Sequence, residues 1–304
     1  MVELHIITPG DSWTNVDEVM AKLATIDPTE PVVLNFNHEG PSIVALGIVD
    51  FICSQTGRHP NTISTSKYSN QFESADSANS TYHFLSQARI YWTPVEPVAA
   101  TAQPFGYFMG RRTFARGRIV YDLYHQGQSL LSVMNTATVA PWVKTPPGIN
   151  LEKSEDWLTA DMIEWLQTCP ITSLDGLRVG DQYVKRPQTN SGILKFYNQF
   201  CCEIVAETFT LGRTFFPTEK TIRPIMAAKP FLVYGPRNFL RHLRKLGFKT
   251  YSSCWDESYD NLEGPARWHQ IKEIMPTVVV DDRALEIARY NRQRLAQMIG
   301  SQNF

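Results

Sequence analysis

The chain has 304 residues, room for one large domain or two of about 150. Its 29 lysines and arginines against 30 aspartates and glutamates leave a formal net charge of −1, which excludes a protein that coats nucleic acid by bulk charge but leaves a local basic groove open. The 5 scattered cysteines have no metal-ligand spacing, Met1–His5 carries no basic leader, and no window nears the roughly 18 consecutive apolar residues of a membrane helix, so the reading is a soluble, cytoplasmic protein with no membrane span.

From the N-terminus, strand and helix patterns alternate. Leu4–Thr8 is a short apolar run broken by Pro9-Gly10, and Ser12 or Thr14 can cap a helix whose apolar positions Val16, Val19, Met20 and Leu23 recur near helical spacing. Pro31–Phe36 predicts a buried strand, His38–Ser42 a tight turn, Ile43–Cys53 a helix ended by Gly57, and Asn61–Ser66 another strand. Strands separated by helices of this length predict parallel βαβ units. Gln71–Thr81 is Ser-rich and reads as a surface loop, Ala88–Trp92 as one more strand, and Pro94–Pro104 as the linker into a second domain. Phe105–Met109 restarts the pattern, with a helix over Thr113–His125. Thr136–Glu155 predicts irregular chain, Ala160–Gln167 and Leu194–Phe200 predict helices, and Asp282–Met298 predicts a long helix with a basic polar face.

The richest stretch is Cys202–Tyr259. An apolar strand, Glu203–Ala206, ends in Glu207, and a loop leads to Thr218-Glu219-Lys220, which opens a helical run shortened or kinked by Pro224. A second apolar strand, Phe231–Tyr234, runs into Gly235-Pro236 and the basic helix Arg237–Lys245. Open α/β sheets bind ligands where their strands end, and helix N-termini attract anions there because their amides are unpaired. A carboxylate accepts hydroxyl hydrogen bonds and an ammonium neutralises phosphate. Two acids and a lysine at that edge therefore suit a ligand bearing hydroxyls and phosphates, such as a nucleotide sugar. The competing reading is a Thr-capped helix with ordinary first-turn charges and a strand-end acid facing solvent. Arg237, Arg241 and Arg244 recur near helical spacing, as a solvated face or as a contact for a polyanion such as DNA.

The ordered set Ile204-Val205-Ala206-Glu207, Thr218-Glu219-Lys220 and Phe231-Leu232-Val233-Tyr234-Gly235-Pro236 resembles the donor-binding half of the α1,3-fucosyltransferase-like glycosyltransferases. The form Thr218–Ile225, with Leu246–Thr250 and Asp256–Asp260 after it, also resembles glycosyltransferase-like proteins of phages and large viruses. The resemblance implies an α/β fold of two facing Rossmann-like domains, the GT-B architecture. Residues 1–103 would bind the acceptor, 104–281 would bind the nucleotide sugar, and the helix 282–304 would pack back on the first domain. It further implies that Glu219 holds the donor ribose, that Lys220 holds the diphosphate with Glu207 nearby, and that Arg112 or Arg116 clamps the leaving group through its forked guanidinium. Inverting sugar transfer needs one general base on the acceptor side. The turn after Pro31–Phe36 supplies Glu39 first and His38 second, with Asp11 third and Asp11, Arg237 and Arg241 as acceptor contacts.

The expected activity is thus a metal-independent, inverting glycosyltransferase, moving a hexosyl or pentosyl group. Its donor would be a UDP- or GDP-linked sugar, with no cofactor and, in the absence of a D-x-D pattern, no metal. The acceptor is a hydroxymethylated base in phage-type DNA, which would place the protein in a host cytoplasm, or alternatively a glycan or lipid. A different class stays open: a nucleotide-binding or assembly module without turnover.

Overall fold

A computed structural model describes residues 2–7, 12–36, 47–65, 84–85, 88–89, 103–109, 113–127, 129–133, 149–150, 156–168, 178–179, 182–183, 193–194, 196–208, 210–211 and 215–300. The chain opens with β1 (Val2–Ile6), β2 (Ser12–Trp13), α1 (Val16–Leu23), β3 (Val32–Phe36), α2 (Ile48–Thr56), a 3₁₀ turn at Pro60–Thr62 and β4 (Ile63–Thr65). β3 lies between β1 and β4 in a parallel sheet, with Leu4 opposite Leu34 and Val32 opposite Ile63. Leu4, Ile6, Val32 and Leu34 bury against Val16, Val19 and Leu23 of α1 and Ile48 and Ile52 of α2, which form one core. Each such side chain contributes roughly 1.5–3 kcal/mol on burial.

Two local details differ from expectation. The N-cap of α1 is Asn15, not Ser12 or Thr14. Its side chain accepts from Ile7 N (2.8 Å) and Trp13 Nε1 (3.0 Å) and donates to His5 O (2.8 Å), so it fastens the helix start to the end of β1. The strand expected from Asn61 starts at Ile63, because Pro60 opens a 3₁₀ turn in which Asn61 N–H bonds His59 Nδ1.

The second sheet begins with β5 (Gln103–Met109), α3 (Phe114–Gln126) and β6 (Ser129–Val133). β5 therefore takes in Gln103 and Pro104, the end of the expected linker, and α3 runs from its cap Thr113 to Gly127 as the pattern predicts. β7 (Ile149–Asn150) pairs antiparallel with β2, a connection to the N-terminal segment inside a stretch expected to be irregular. α4 (Ala160–Gln167) coincides with its expected helix, and β8 (Arg178–Val179) and β9 (Gln182–Tyr183) make a small antiparallel pair. Then come β10 (Phe200–Ala206), α5 (Glu219–Met226), β11 (Phe231–Tyr234), α6 (Phe239–Lys245), α7 (Gly264–Ile274) and α8 (Asp282–Gly300).

The order across this sheet is β11-β10-β5-β6, all parallel. Leu194–Phe200 is not the helix its pattern predicts: after Ile193–Leu194 the chain turns, and Phe200 already belongs to β10. The reason lies in Gly106 of β5, where an added Cβ would stand 2.7 Å from the Phe200 ring, so the ring occupies the space a larger residue would fill. Ala88-Arg89 is likewise helical where a strand is predicted, and Phe84 meets Phe248 edge-on with centroids 5.5 Å apart, in the second core.

That second core is separate from the first and surrounds β5, β10 and β11. α7, which the sequence reading missed, adds Trp268, Ile271 and Ile274 to it. α8 adds Ala284, Ile287, Leu295 and Ile299 and lies against α5. These buried residues of α8 belong to the second core. The result is a mixed α/β fold with two parallel sheets. Among the described residues no helix is long and apolar enough to cross a membrane.

The strand order positions the site. From β5 the chain crosses through α3 to β6, then returns to β10 on the other side of β5. Connections leaving the C-terminal ends of β5 and β10 diverge, and such a switch point opens a crevice for ligands.

Candidate functional site

Four of the expected site residues, Glu39, His38, Asp11 and Arg112, lie outside the described residues. The other six fall at the C-terminal edge of the second sheet or on the segment that leaves it, and they divide into two kinds.

Glu207 and Arg116 are interior. Glu207 follows the last residue of β10, and its N–H continues the ladder to Tyr234 O at 2.9 Å. Its side chain is 0% exposed. One carboxylate oxygen accepts from Thr218 N (3.1 Å) and from the hydroxyl of Thr221; the other accepts from Thr218 Oγ1 (2.6 Å) and Thr208 N (3.3 Å). Thr218 is the N-cap of α5, and its Oγ1 accepts from Lys220 N at 3.3 Å. Glu207 therefore caps α5 from a neighbouring strand, with its negative charge at the positive end of the helix. The carboxylate is buried, and both its oxygens accept hydrogen bonds from the chain. Arg116, in the first turn of α3 and 2% exposed, donates through Nη2 to Ala206 O (3.1 Å) and Glu207 O (2.6 Å). Through Nη2 it braces α3 against the end of β10 across the switch point.

Glu219 and Lys220 face outward. Their side chains are 28% and 13% exposed, and Lys220 Nζ lies 2.8 Å from Glu219 Oε1. The ammonium also donates to Thr208 Oγ1 (3.1 Å) and Thr218 Oγ1 (3.2 Å), which uses its three protons. Burial would raise the Glu219 carboxyl, but the charge and hydrogen bond of Lys220, the backbone N–H of Glu219 and the charge of Arg223 outweigh it and hold the group down at about 2. Glu219 is thus a firmly ionised acceptor beside a lysine, in the first turn of a helix that opens onto the crevice.

Arg237 and Arg241 are exposed. Arg237 Nη2 is 3.9 Å from Glu263 Oε1, with 44% of its side chain accessible. The backbone N–H of Arg241 donates to Asp260 Oδ2 (3.1 Å), and that of Leu240 donates to Asp260 Oδ1 (2.9 Å), so Asp260 caps α6 much as Glu207 caps α5. Asp260 is in turn paired with Arg267 Nη2 at 3.1 Å. Arg267 is 0% exposed and also donates to the carbonyls of Val233, Pro236, Asp260 and Leu262. The segment Trp255–Asp260 accordingly anchors and packs, with Tyr259 buried beneath the Arg267 guanidinium at 5.2 Å.

One cluster escaped the sequence reading. Glu203, Arg223 and Tyr197 close a buried ring: Arg223 Nη2 and Tyr197 OH both bond the Glu203 carboxylate, and Arg223 Nε donates to Tyr197 OH at 2.7 Å. Burial pushes the Glu203 carboxyl above the ordinary carboxylate range against the pull of Arg223, and burial raises Tyr197 as well. Burial opposes the charge on Arg223, yet Glu203 and Tyr197 raise its pKa further above the ordinary value. The signal was a charge inside the apolar run Phe200–Ala206. Glu203 on β10 and Glu207, which extends its ladder by one residue, are four residues apart and so share a face, and each holds one part of α5 in place.

Among the described residues, no group of three or more His, Cys, Asp or Glu side chains is placed to hold a metal ion. Comparisons of the chain with protein-family models, with curated proteins and with solved structures return no match. The functional reading therefore rests on the residues and their geometry.

Proposed function

We propose that the crevice between β5 and β10 binds a nucleoside-diphosphate sugar, UDP- or GDP-linked, and that the chain transfers the sugar to an acceptor hydroxyl with inversion and without a metal. The observation that carries this reading is the Glu219–Lys220 pair in the first turn of α5 at a sheet switch point. Lys220 would exchange Glu219 for the diphosphate, and Glu219 would accept the ribose hydroxyls. An ammonium at the leaving phosphate stabilises the charge that develops as the glycosidic bond breaks. The GT-B arrangement, with the first domain presenting the acceptor and Glu39 or His38 as its base, belongs to the same proposal. Lys220→Ala should weaken UDP or GDP binding by roughly 1.5–3 kcal/mol if its hydrogen bonds to the diphosphate are charge-assisted. Calorimetry that finds unchanged affinity for both nucleotides sinks the assignment.

The exposure of Arg237 and Arg241 favours a DNA acceptor as a second reading. Affinity for duplex DNA should then fall steeply with salt, and removing either arginine should reduce the slope by about one phosphate contact. A flat salt response points to a glycan or lipid acceptor. The third reading, a nucleotide-binding or assembly module without turnover, draws on the internal engagement of Glu207 and Arg116. Nucleotide binding without hydrolysis or transfer of any sugar donor would favour it.

A further inference from the structure

After α6 the chain runs through 246–254 along the opposite edge of the sheet. Tyr251 packs edge-on against Phe231, the first residue of β11, with centroids 5.6 Å apart, whereas Glu207 pairs with Tyr234, the last. At this far edge opens a cleft of about 440 Å³ bounded by Arg244, Lys249, Ser252, Ser253, Arg283 and Glu286. Phe248 and Ile287, both buried, also line it. Its volume is that of a small-molecule site.

The walls are fixed from behind. Asn291 of α8 accepts from Lys249 N and donates to Lys249 O, both at 2.8 Å. Arg294 donates to Leu246 O through Nε (3.3 Å) and Nη2 (3.1 Å). Arg244 is bound by Thr250 Oγ1 (2.7 Å) and Glu257 Oε2 (3.2 Å), so Glu257 offsets its charge. Lys249 Nζ lies 4.3 Å from the centroid of the Tyr290 ring, a cation–π contact that leaves the ammonium charge uncompensated. Among the described residues neither Lys249 nor Arg283 pairs with a carboxylate.

The chemistry of the lining is mixed in a specific way. Two cations without acidic partners suit a phosphate group, for which guanidinium and ammonium are the usual partners. Glu286 repels a continuous polyanion but accepts hydroxyl hydrogen bonds, and Ser252 and Ser253 can do the same. The apolar side chains of Phe248 and Ile287 can cover a carbon skeleton. We propose that this cleft binds a phosphorylated polyol, with the phosphate held by Lys249 and Arg283 and a hydroxyl held by Glu286, at a site separate from the switch-point crevice.

Calorimetric titration with glucose 6-phosphate, and with glucose and inorganic phosphate as its two halves, tests this. Glucose 6-phosphate should bind saturably and more tightly than either half. Lys249→Ala and Arg283→Ala should each weaken it about tenfold or more, the scale of a charge-assisted hydrogen bond. Both side chains are exposed, and circular dichroism melts should match the parent protein. Glu286→Gln should tighten inorganic phosphate while narrowing the preference for the sugar phosphate over it. Lys220→Ala should leave all of this unchanged, which separates the cleft from the donor site. Absence of saturable binding, or equal affinity in the Lys249→Ala/Arg283→Ala double variant, overturns the proposal. So does binding confined to a single-stranded oligonucleotide with a steep salt slope, which would make the face a polyanion surface.

Discussion

Replacing Glu207 separates a structural clamp from a ligand contact. Glu207→Ala would strand two threonine hydroxyls and the N–H of Thr218 in a buried setting, and the N–H of Thr208 in a partly buried one. Each unsatisfied buried donor costs about 1–3 kcal/mol. The hydroxyls can rotate toward other acceptors and the Thr208 contact is long, so the total should be about 3–5 kcal/mol, the usual loss when a buried charged network is broken. Glu207→Gln keeps the volume and one acceptor oxygen, and should lose about 1.5–3 kcal/mol. Thr221→Val removes one hydroxyl from the same carboxylate and should cost about 1–2 kcal/mol, and combined with Glu207→Gln it should cost less than the sum because both remove one contact. Urea unfolding followed by tryptophan fluorescence measures these losses as shifts of midpoint at constant slope. Trp157, Trp255 and Trp268 report on the second core, where Glu207 acts. If Glu207→Gln stays within about 0.5 kcal/mol of the parent while nucleotide affinity falls tenfold, the clamp is wrong and the carboxylate is a ligand contact.

Three further outcomes follow from the same geometry. Gly106→Ala drives a Cβ to 2.7 Å from the Phe200 ring and should cost about 1–3 kcal/mol in urea unfolding, with Phe200→Leu in the same chain recovering part of it. Arg267→Met leaves Asp260 buried without its cation and four carbonyls without their donor, so the melting temperature should drop by an amount corresponding to about 3–5 kcal/mol, with Asp260→Asn milder because its oxygen still caps α6. The Glu219 carboxyl lies below its ordinary value of 4.5 in the folded chain, at about 2, so its stabilisation is fully present above 4.5 and is lost as pH falls toward 2. Urea midpoints across that window should therefore flatten in Glu219→Gln, and an unchanged acid limb would show that the pairing with Lys220 contributes nothing.

Most of the second sheet is legible because each element carries its own punctuation. Thr113 and Gly127 bracket α3, Thr159 caps α4 at the expected residue, and Phe231–Tyr234 is an apolar run between Pro230 and Gly235-Pro236. One failure comes from long-range packing overriding local pattern. Leu194–Phe200 has helical spacing, but Phe200 is drawn into β10 by the gap over Gly106, a residue 94 positions earlier in the chain. Trp268, Ile271 and Ile274 do recur at helical spacing, and Gly264-Pro265 is a helix start, so α7 was readable from its own residues. The hydrogen-bond partners of Arg267 were not, since four of its five acceptors are backbone carbonyls contributed by β11, the turn after it and the 3₁₀ turn Ser258–Asn261 with its cap Leu262.

At the candidate site, residue type was legible and depth was not. A strand-end acid followed by Thr-Glu-Lys looks the same whether the acid meets a ligand or a helix cap, because both use a carboxylate accepting from donors at a helix start. The folded chain assigns the capping role to Glu207 and leaves Glu219 and Lys220 outside. On the proposed function this division is itself useful. Glu207 holds Thr218 and Thr221, so the start of α5 stays fixed when the outer pair changes partners. Transfer of the Lys220 ammonium to a phosphate breaks one partly exposed ion pair, while its bonds to the Thr208 and Thr218 hydroxyls can persist. The same movement releases the Glu219 carboxylate from its ion pair, which frees it to accept ligand hydroxyls. One displacement thus prepares both halves of the site, Lys220 for the diphosphate and Glu219 for the hydroxyls.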